Sequence, residues 1–315
     1  MAILITGGAG FLGSHLTERL LHRGEELVCL DDFNDYYPPD IKRKNIAQVR
    51  KKGAFELVEG DIRDEKLCAR IFADMNIDKV VHLAARAGVR ASLEDPMLYQ
   101  DVNCRGTMLL LEMAKRHDVK KFVFASSSSV YGNNQKVPFS EDDRVDEPVS
   151  PYAATKRAGE LFCYAHHHLT GMPTVCLRFF TAYGPRQRPD MAIHKFTRLI
   201  MEGKPVPMFG DGTTKRDYTY YSDIIDGVVA ALDTDVGFEI INLGESNVVE
   251  LRRLIEVIEE SVGEKAKIKQ MPEQPGDVKI TYADVSKAKR LLGYSPSVHI
   301  EEGVRKFVEW YRENF

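Results

Sequence analysis

Two groups of residues have the types and spacing for chemistry. The first is Gly7-Gly8-Ala9-Gly10-Phe11-Leu12-Gly13, which directly follows an apolar run at the start of the chain. Gly7 allows a tight turn, Gly10 lets a pyrophosphate approach the backbone, and Gly13 lets a following helix pack against the strand. The N–H groups and positive dipole end of that helix, from Phe11, Leu12 and Gly13, would then face the phosphates. Asp31 ends the next apolar run, where a carboxylate can accept from ribose hydroxyls and would repel a 2′-phosphate, so the pattern favours NAD over NADP. As an isolated acid it would be a solvated strand end. The second group is Ser150-Pro151-Tyr152-Ala153-Ala154-Thr155-Lys156. Tyr152 and Lys156 lie four apart and share one helix face. A phenol, with a reference pKa of about 10, becomes a base near neutral pH only where positive charge outweighs burial. A lysine one turn away and a cationic nicotinamide would supply that charge, and Lys156 could also bond the nicotinamide ribose. The pair alone is equally consistent with a surface pattern. Its place downstream of the glycine turn favours the catalytic reading.

The elements that must position these groups alternate between short apolar runs and amphipathic stretches. Strands are predicted over 3–6, 27–31, 56–59, 80–83, 122–125 and 174–178, with helical periodicity between them, as over 12–21 and 102–114. This is the pattern of an α/β fold, a doubly wound parallel (Rossmann) sheet covered on both faces. The rhythm loosens after Gly184. A Pro/Arg-rich loop over 185–190, helices over 193–201, 222–232, 249–262 and 300–311, and a strand over 206–209 point to a smaller C-terminal lobe. The expected division is a dinucleotide-binding domain over 1–184 and a substrate lobe over 185–315, with some segments crossing between them. The cleft between them lies beyond the carboxyl ends of the strands, where ligands bind in open α/β sheets.

Several smaller signals point into that cleft. Asp61, after the third strand, either meets the adenine or caps a helix. The fifth strand runs into Ser126-Ser127-Ser128-Ser129, where one or two hydroxyls could bridge substrate and Tyr152 while the rest satisfy backbone groups. Arg186 and Arg188 lie on the interlobe loop, and a planar guanidinium is suited to a carboxylate. The alternative for either is an interlobe or solvated arginine.

Composition excludes other classes. The chain has 315 residues, 43% of them hydrophobic and 29% charged, with a net charge of −4, so it offers no basic face for nucleic acid. No apolar run reaches membrane-spanning length. The start, MAILITGGAG, has no leader pattern, and the five cysteines are scattered without a CxxC pair, as in a cytoplasmic protein with reduced thiols. His166-His167-His168 point in different directions on a helix and do not converge on a metal, so none is expected. Trp310 is read as a packing residue.

The glycine turn, Asp31, SSSS-VYG and SPYAATK together resemble the extended short-chain dehydrogenase/reductases, and within them the NAD-dependent epimerase/dehydratase family. The likeness runs over nearly the whole chain, including FGDGTTKRDYTYYSDI and QPGDVKITYADVSKA. DDFNDYY, AARAGVR and GPRQRPDMA make it most similar to the UDP-glucuronate 4-epimerases within that family. The resemblance implies a retained NAD, a UDP-sugar substrate, Tyr152 and Lys156 as catalytic residues, and Ser127 as the assisting hydroxyl. It adds Ile62, Leu83 and Asn103 to the cofactor contacts. Ser128, Thr181, Phe209 (near the uracil), Arg216 (at the diphosphate), Gln274 and Asp277 join the substrate contacts. Arg188 becomes the first choice for a sugar carboxylate.

The resemblance also sorts the activities. Sugar 4,6-dehydratases carry Asp-Glu at the places of Ser128 and Ser129, and UDP-glucuronate decarboxylases carry Glu at that of Ser129. Serine at both favours simple epimerisation. Gln274 and Thr181 depart from the Arg and Asn of UDP-galactose epimerases and fit the uronate type. The alternatives are a UDP-glucose/UDP-galactose 4-epimerase, a decarboxylase or net oxidoreductase, and a non-enzymatic NAD sensor. A sensor would not need Tyr152, Lys156 and Ser127. A homodimer is the family-level expectation, and the C-terminal helix could contribute to a subunit contact.

Overall fold

The computed structural model describes residues 1–272 and 278–315. In chain order the strands are β1 (Ala2–Thr6), β2 (Glu26–Asp31), β3 (Glu56–Glu59), β4 (Ile77–His82), β5 (Lys121–Ser127) and β6 (Thr174–Phe179), then β7 (Thr181–Tyr183), β8 (Pro205–Phe209), β9 (Lys215–Tyr220), β10 (Phe238–Leu243), β11 (Val248–Glu250) and β12 (Lys267–Met271). Seven of them form one sheet in the order β10-β6-β5-β4-β1-β2-β3. Every pairing in it is parallel. β1, β5 and β6 are buried almost throughout because helices cover both faces. Alternation sends Ile3 and Ile5 into one core layer, with Leu16, Leu20, Ile224 and Val228, and Leu4 into the other, with Ile71, Leu110 and Cys163. The chain leaves β1 toward β2 on one side and reaches β4 on the other, so a crevice opens at the carboxyl ends of these strands.

The lobes are not contiguous in sequence. β10 returns to the edge of the large sheet, with Ile241 opposite Leu177. The helix Tyr221–Asp233 packs on the same sheet through Ile224 and Val228. β10 was not legible beforehand because FEIINL is a short apolar run with no periodicity of its own. The remaining C-terminal residues build a second core around Tyr183, Phe196, Val206, Ile258, Val304 and Phe307. Two expected helices start differently. Val249 lies in β11, paired with Arg216, and the helix begins at Leu251. The stretch predicted as a helix over 102–114 is a π turn, Gln100–Arg105, leading into a helix, Gly106–Arg116. Such turns re-aim side chains near sites.

A buried carboxylate ties the C-terminal segments together. Asp217 accepts from the backbone N–H of Glu245 (2.7 Å), Ser246 (3.1 Å) and Ala283 (3.0 Å) and from the Thr219 hydroxyl (3.2 Å). Burial raises its pKa to about 6. Burial and the neighbouring Asp223 and Asp217 raise Glu245 to about 8. A carboxyl that keeps its proton longer in the folded state contributes stability that is lost as pH rises. Thermal stability should therefore fall from the ordinary carboxylate range up to about pH 8. Glu245→Gln should flatten that fall. Melting curves between pH 5.5 and 8.5 check it, and identical slopes for the two proteins would refute it.

Candidate active site

The glycine turn closes under β1. Gly7 has φ +71°, and a Cβ there would lie 2.9 Å from the Ala84 nitrogen. A Cβ on Gly13 would lie 2.0 Å from the Gly7 oxygen, so only glycine allows this strand–helix approach. The helix Phe11–His22 starts at Gly10 without a side-chain cap. Its first N–H groups are therefore donors for an anion in the cleft. Gly7, Gly10, Phe11, Leu12 and Gly13 all border that cleft.

Asp31 borders it too, with its carboxylate held by the N–H of Ala9 (3.1 Å) and Phe33 (2.9 Å). Burial raises its pKa against the pull of Lys42, whose ammonium is 3.5 Å away. Lys42 lines the same wall and was not singled out from the sequence. Asp61, Ile62 and Leu83 also border the cleft. Asp61 forms a fork with Arg63, and the neighbouring helix is capped by Asp64, which accepts from Leu67 N–H at 3.0 Å. Asp61 is thus not the cap. Such a glycine cradle, uncapped helix start and ribose-level carboxylate fit a dinucleotide.

Asn103 lies directly behind the cleft wall, bonded to the cleft-lining Arg86. Its buried amide accepts from Arg86 N–H (2.8 Å) and donates to the Arg86 carbonyl (3.0 Å) and the Thr155 hydroxyl (3.0 Å). The π turn aims it at the backbone of the wall, which it holds against the catalytic helix.

That helix, Pro151–Thr170, is capped by the Ser150 hydroxyl, has proline at its first position and ends at the left-handed Gly171. Tyr152 and Lys156 both reach the cleft. Lys156 donates to the Ala125 carbonyl at 2.7 Å, and burial lowers its pKa to about 8. Burial raises Tyr152, while a hydrogen bond with Ser127 and the charge of Arg188 pull it down. Arg188 thus joins Lys156 as a cation lining the chamber of the phenol. Ser127, Ser128 and Ser129 border the cleft, and the Ser127 hydroxyl lies 3.1 Å from that of Ser129. Ser126 spends its hydroxyl on Glu160 (2.6 Å), which is ion-paired with the buried Arg178.

The interlobe loop parts its two arginines. Arg186, at φ +64°, turns away to Glu18 (2.8 Å) and Gln48 (3.3 Å) behind the glycine-turn helix. Arg188 borders the catalytic chamber, bonded to Asp190 and lying over the Tyr36 ring at 5.2 Å. Thr181 and Met191 border this chamber and a second one beyond it. The second chamber is lined by Phe209, Arg216, Arg90 and Tyr218, with the Arg90 guanidinium 4.6 Å over the Phe209 ring. Gln274 and Asp277 lie outside the described residues. Tyr36, Asp190 and, for the second chamber, Arg90 were not assigned there from the sequence, although all three stand in the motifs that carried the resemblance. Among the described residues no group of three His, Cys, Asp or Glu could hold a metal, and no helix is long and apolar enough to cross a membrane.

A parallel doubly wound sheet, a glycine cradle at β1, a Tyr-Lys helix lining the same cleft and a second chamber beyond it define an extended short-chain dehydrogenase/reductase built for two ligands. The chain belongs to that group's epimerase/dehydratase family: the profile described as GDP-mannose 4,6 dehydratase matches residues 4–307. A UDP-glucuronate 4-epimerase of Thermodesulfobacterium geofontis is 46% identical over 312 residues, covering 99% of this chain and 96% of its own. The crystal structure of UDP-glucuronic acid 4-epimerase from Bacillus cereus, in complex with UDP-glucuronic acid and NAD, has a TM-score of 0.94 and 39% identity, with 100% of both chains covered. UDP-glucose 4-epimerase of Thermotoga maritima, with UDP-glucose, has a TM-score of 0.92 and 32% identity over 99% of each chain.

Proposed function

We propose that this protein is an NAD-dependent UDP-sugar 4-epimerase that interconverts UDP-glucuronate and UDP-galacturonate through a 4-keto intermediate. The observation that carries the uronate reading is the presence of Tyr152, Ser127 and Arg188 in one chamber beside the glycine cradle. Gly7, Gly10, Phe11, Leu12 and Gly13 hold the pyrophosphate of NAD, and Asp31 its adenine ribose. NAD, when bound, supplies the hydride acceptor and donor for C4 and adds positive charge near the phenol. Tyr152 takes the proton of the sugar 4-hydroxyl, with Ser127 hydrogen-bonded to both oxygens. The keto sugar turns, and Tyr152 returns the proton to the O4 atom of the inverted sugar. Ser128 and Ser129 offer no carboxylate to remove the C5 proton. Arg188 clamps the C6 carboxylate, while Phe209 and Arg216 meet the uracil and diphosphate.

The dinucleotide domain comprises residues 1–184 together with the Tyr221–Asp233 helix and the returning β10 segment, and most of the rest of 185–315 holds the nucleotide sugar. The protein works as a homodimer in the cytoplasm. Leu93 and Met97 expose 47% and 71% of their surface, and Leu161 and Tyr164 on the adjoining helix expose 51% and 53%, giving an apolar face for a second copy. The test is product analysis after incubation with UDP-glucuronate, UDP-galactose or UDP-glucose, with no NAD added. UDP-galacturonate should form from the uronate without accumulation of free NADH or carbon dioxide. Stoichiometric UDP-pentose would establish a decarboxylase instead.

A further inference from the structure

We propose that Asp190 is a positioning residue for uronate specificity, gripping one edge of the Arg188 guanidinium so that its other edge meets the sugar carboxylate. The inference rests on the clamp reading of Arg188. Asp190 accepts from Nε at 3.0 Å and Nη2 at 2.9 Å. A guanidinium has five N–H donors in a rigid plane, so this fork leaves both hydrogens of Nη1 and one of Nη2. One hydrogen of each Nη lies along the end-on edge, which has the shape for a second carboxylate. Arg188 borders the chamber that contains Tyr152, whereas Asp190 borders only the neighbouring one. The grip therefore comes from outside the catalytic chamber.

The backbone makes the grip local. Met191 N–H donates to the Arg188 carbonyl at 3.2 Å, closing a turn with Pro189 and Asp190 at its centre. Proline sets the first central φ of such a turn. The Tyr36 ring, 5.2 Å from the guanidinium, limits its tilt from a second side. Burial pushes the Asp190 carboxyl up, but the Arg188 pairing holds it below the usual carboxylate range. It is therefore charged whenever the enzyme works near neutral pH.

Two effects of Asp190 oppose each other. Its charge weakens the pull of Arg188 on an anionic sugar, and its grip orients a long, rotamer-rich side chain. Asp190 is 48% exposed against 19% for Arg188, so water screens its charge while the fork geometry persists. Orientation wins, and loss of Asp190 should weaken uronate binding.

The test measures calorimetric affinities for UDP-glucuronate and UDP-glucose in NAD-loaded Tyr152→Phe protein, where the ligand is not converted. Asp190→Ala should raise the UDP-glucuronate dissociation constant relative to that of UDP-glucose by about tenfold, the value of one charge-assisted bond. Asp190→Asn, which can still accept one bond, should fall between. Because Asp190 acts through Arg188, adding Asp190→Ala to Arg188→Ala should change nothing further. Tighter uronate binding in Asp190→Ala, equal weakening for both ligands, or further loss in the double variant would each overturn the inference. If Arg188→Ala itself leaves uronate affinity intact, the clamp reading fails and the inference with it. If only the Asp190 variants are silent, the clamp stands and the inference alone falls.

Discussion

Tyr152→Phe enzyme should turn over UDP-glucuronate ~10²–10⁴-fold more slowly than the native protein, the usual contribution of a positioned general acid–base. The substitution removes one oxygen and leaves the ring, so the edge contact with Tyr99, at 6.2 Å between centroids, remains. The lost oxygen has Ser127 as its partner, and Ser127 keeps its bonds to Ser129. No buried charge is left uncompensated, and the fold should be unaffected. Affinity for UDP-glucuronate should stay within about threefold, because uniform binding does not depend on the group that moves the proton. Burial holds the phenol above its ordinary pKa, against Ser127 and Arg188. The positive charge of NAD, when bound, would act with Ser127 and Arg188 to lower that pKa. Single-turnover kinetics with calorimetric binding decide the matter. Unchanged turnover would remove Tyr152 from the mechanism, and lost binding would make it structural.

The fold was legible where the sequence repeated a physical pattern. The first six strands were predicted to within a few residues because they are apolar runs between amphipathic helices, the pattern of a sheet buried on both faces. The glycine cradle and the Tyr-Lys helix were legible because backbone approach and helix spacing are local properties. What escaped depends on distant chain. β10 is stabilised by β6, more than fifty residues earlier, and nothing within FEIINL announces a place in the large sheet. Asn103 has a side chain that could face either way, and only the π turn sends it to Arg86 and Thr155. Lys42 is one of several basic residues on its helix, and its ammonium is pinned only once that helix packs beside Asp31. The serine run shows the same limit. Four equal hydroxyls in sequence become one spent on Glu160 and three at the cleft only after Arg178 has buried that glutamate.

Arg188→Ala should lower kcat/KM for UDP-glucuronate by roughly ten- to a hundredfold, the equivalent of about 1.5–3 kcal/mol for a hydrogen bond to a charged group. The interlobe loop carries two arginines, and the structure separates their duties. Arg186 is committed to Glu18 and Gln48 behind the glycine-turn helix, whereas Arg188 borders the chamber of Tyr152. Arg90 stacks on Phe209 in the second chamber, which makes it the poorer candidate for a group attached at C5 of the sugar. Removing Arg188 leaves Asp190 without its partner, but that carboxylate is half exposed and water can take the place of the guanidinium, so the fold should tolerate the change. The loss should be selective. UDP-glucose has no carboxylate, and any turnover of it should fall far less than that of the uronate. Bound NAD should remain, since the glycine cradle and Asp31 do not contact Arg188. A clamped carboxylate is also a carboxylate held in its charged form, and the 4-keto uronate can lose carbon dioxide only by giving that charge up. The variant should therefore release a larger share of each turnover as UDP-pentose. Chromatographic separation of the products, with both sugars compared in parallel, measures rate and partition together. Equal losses on both sugars would make Arg188 structural or phosphate-directed, and no loss on either would return the clamp to Arg90.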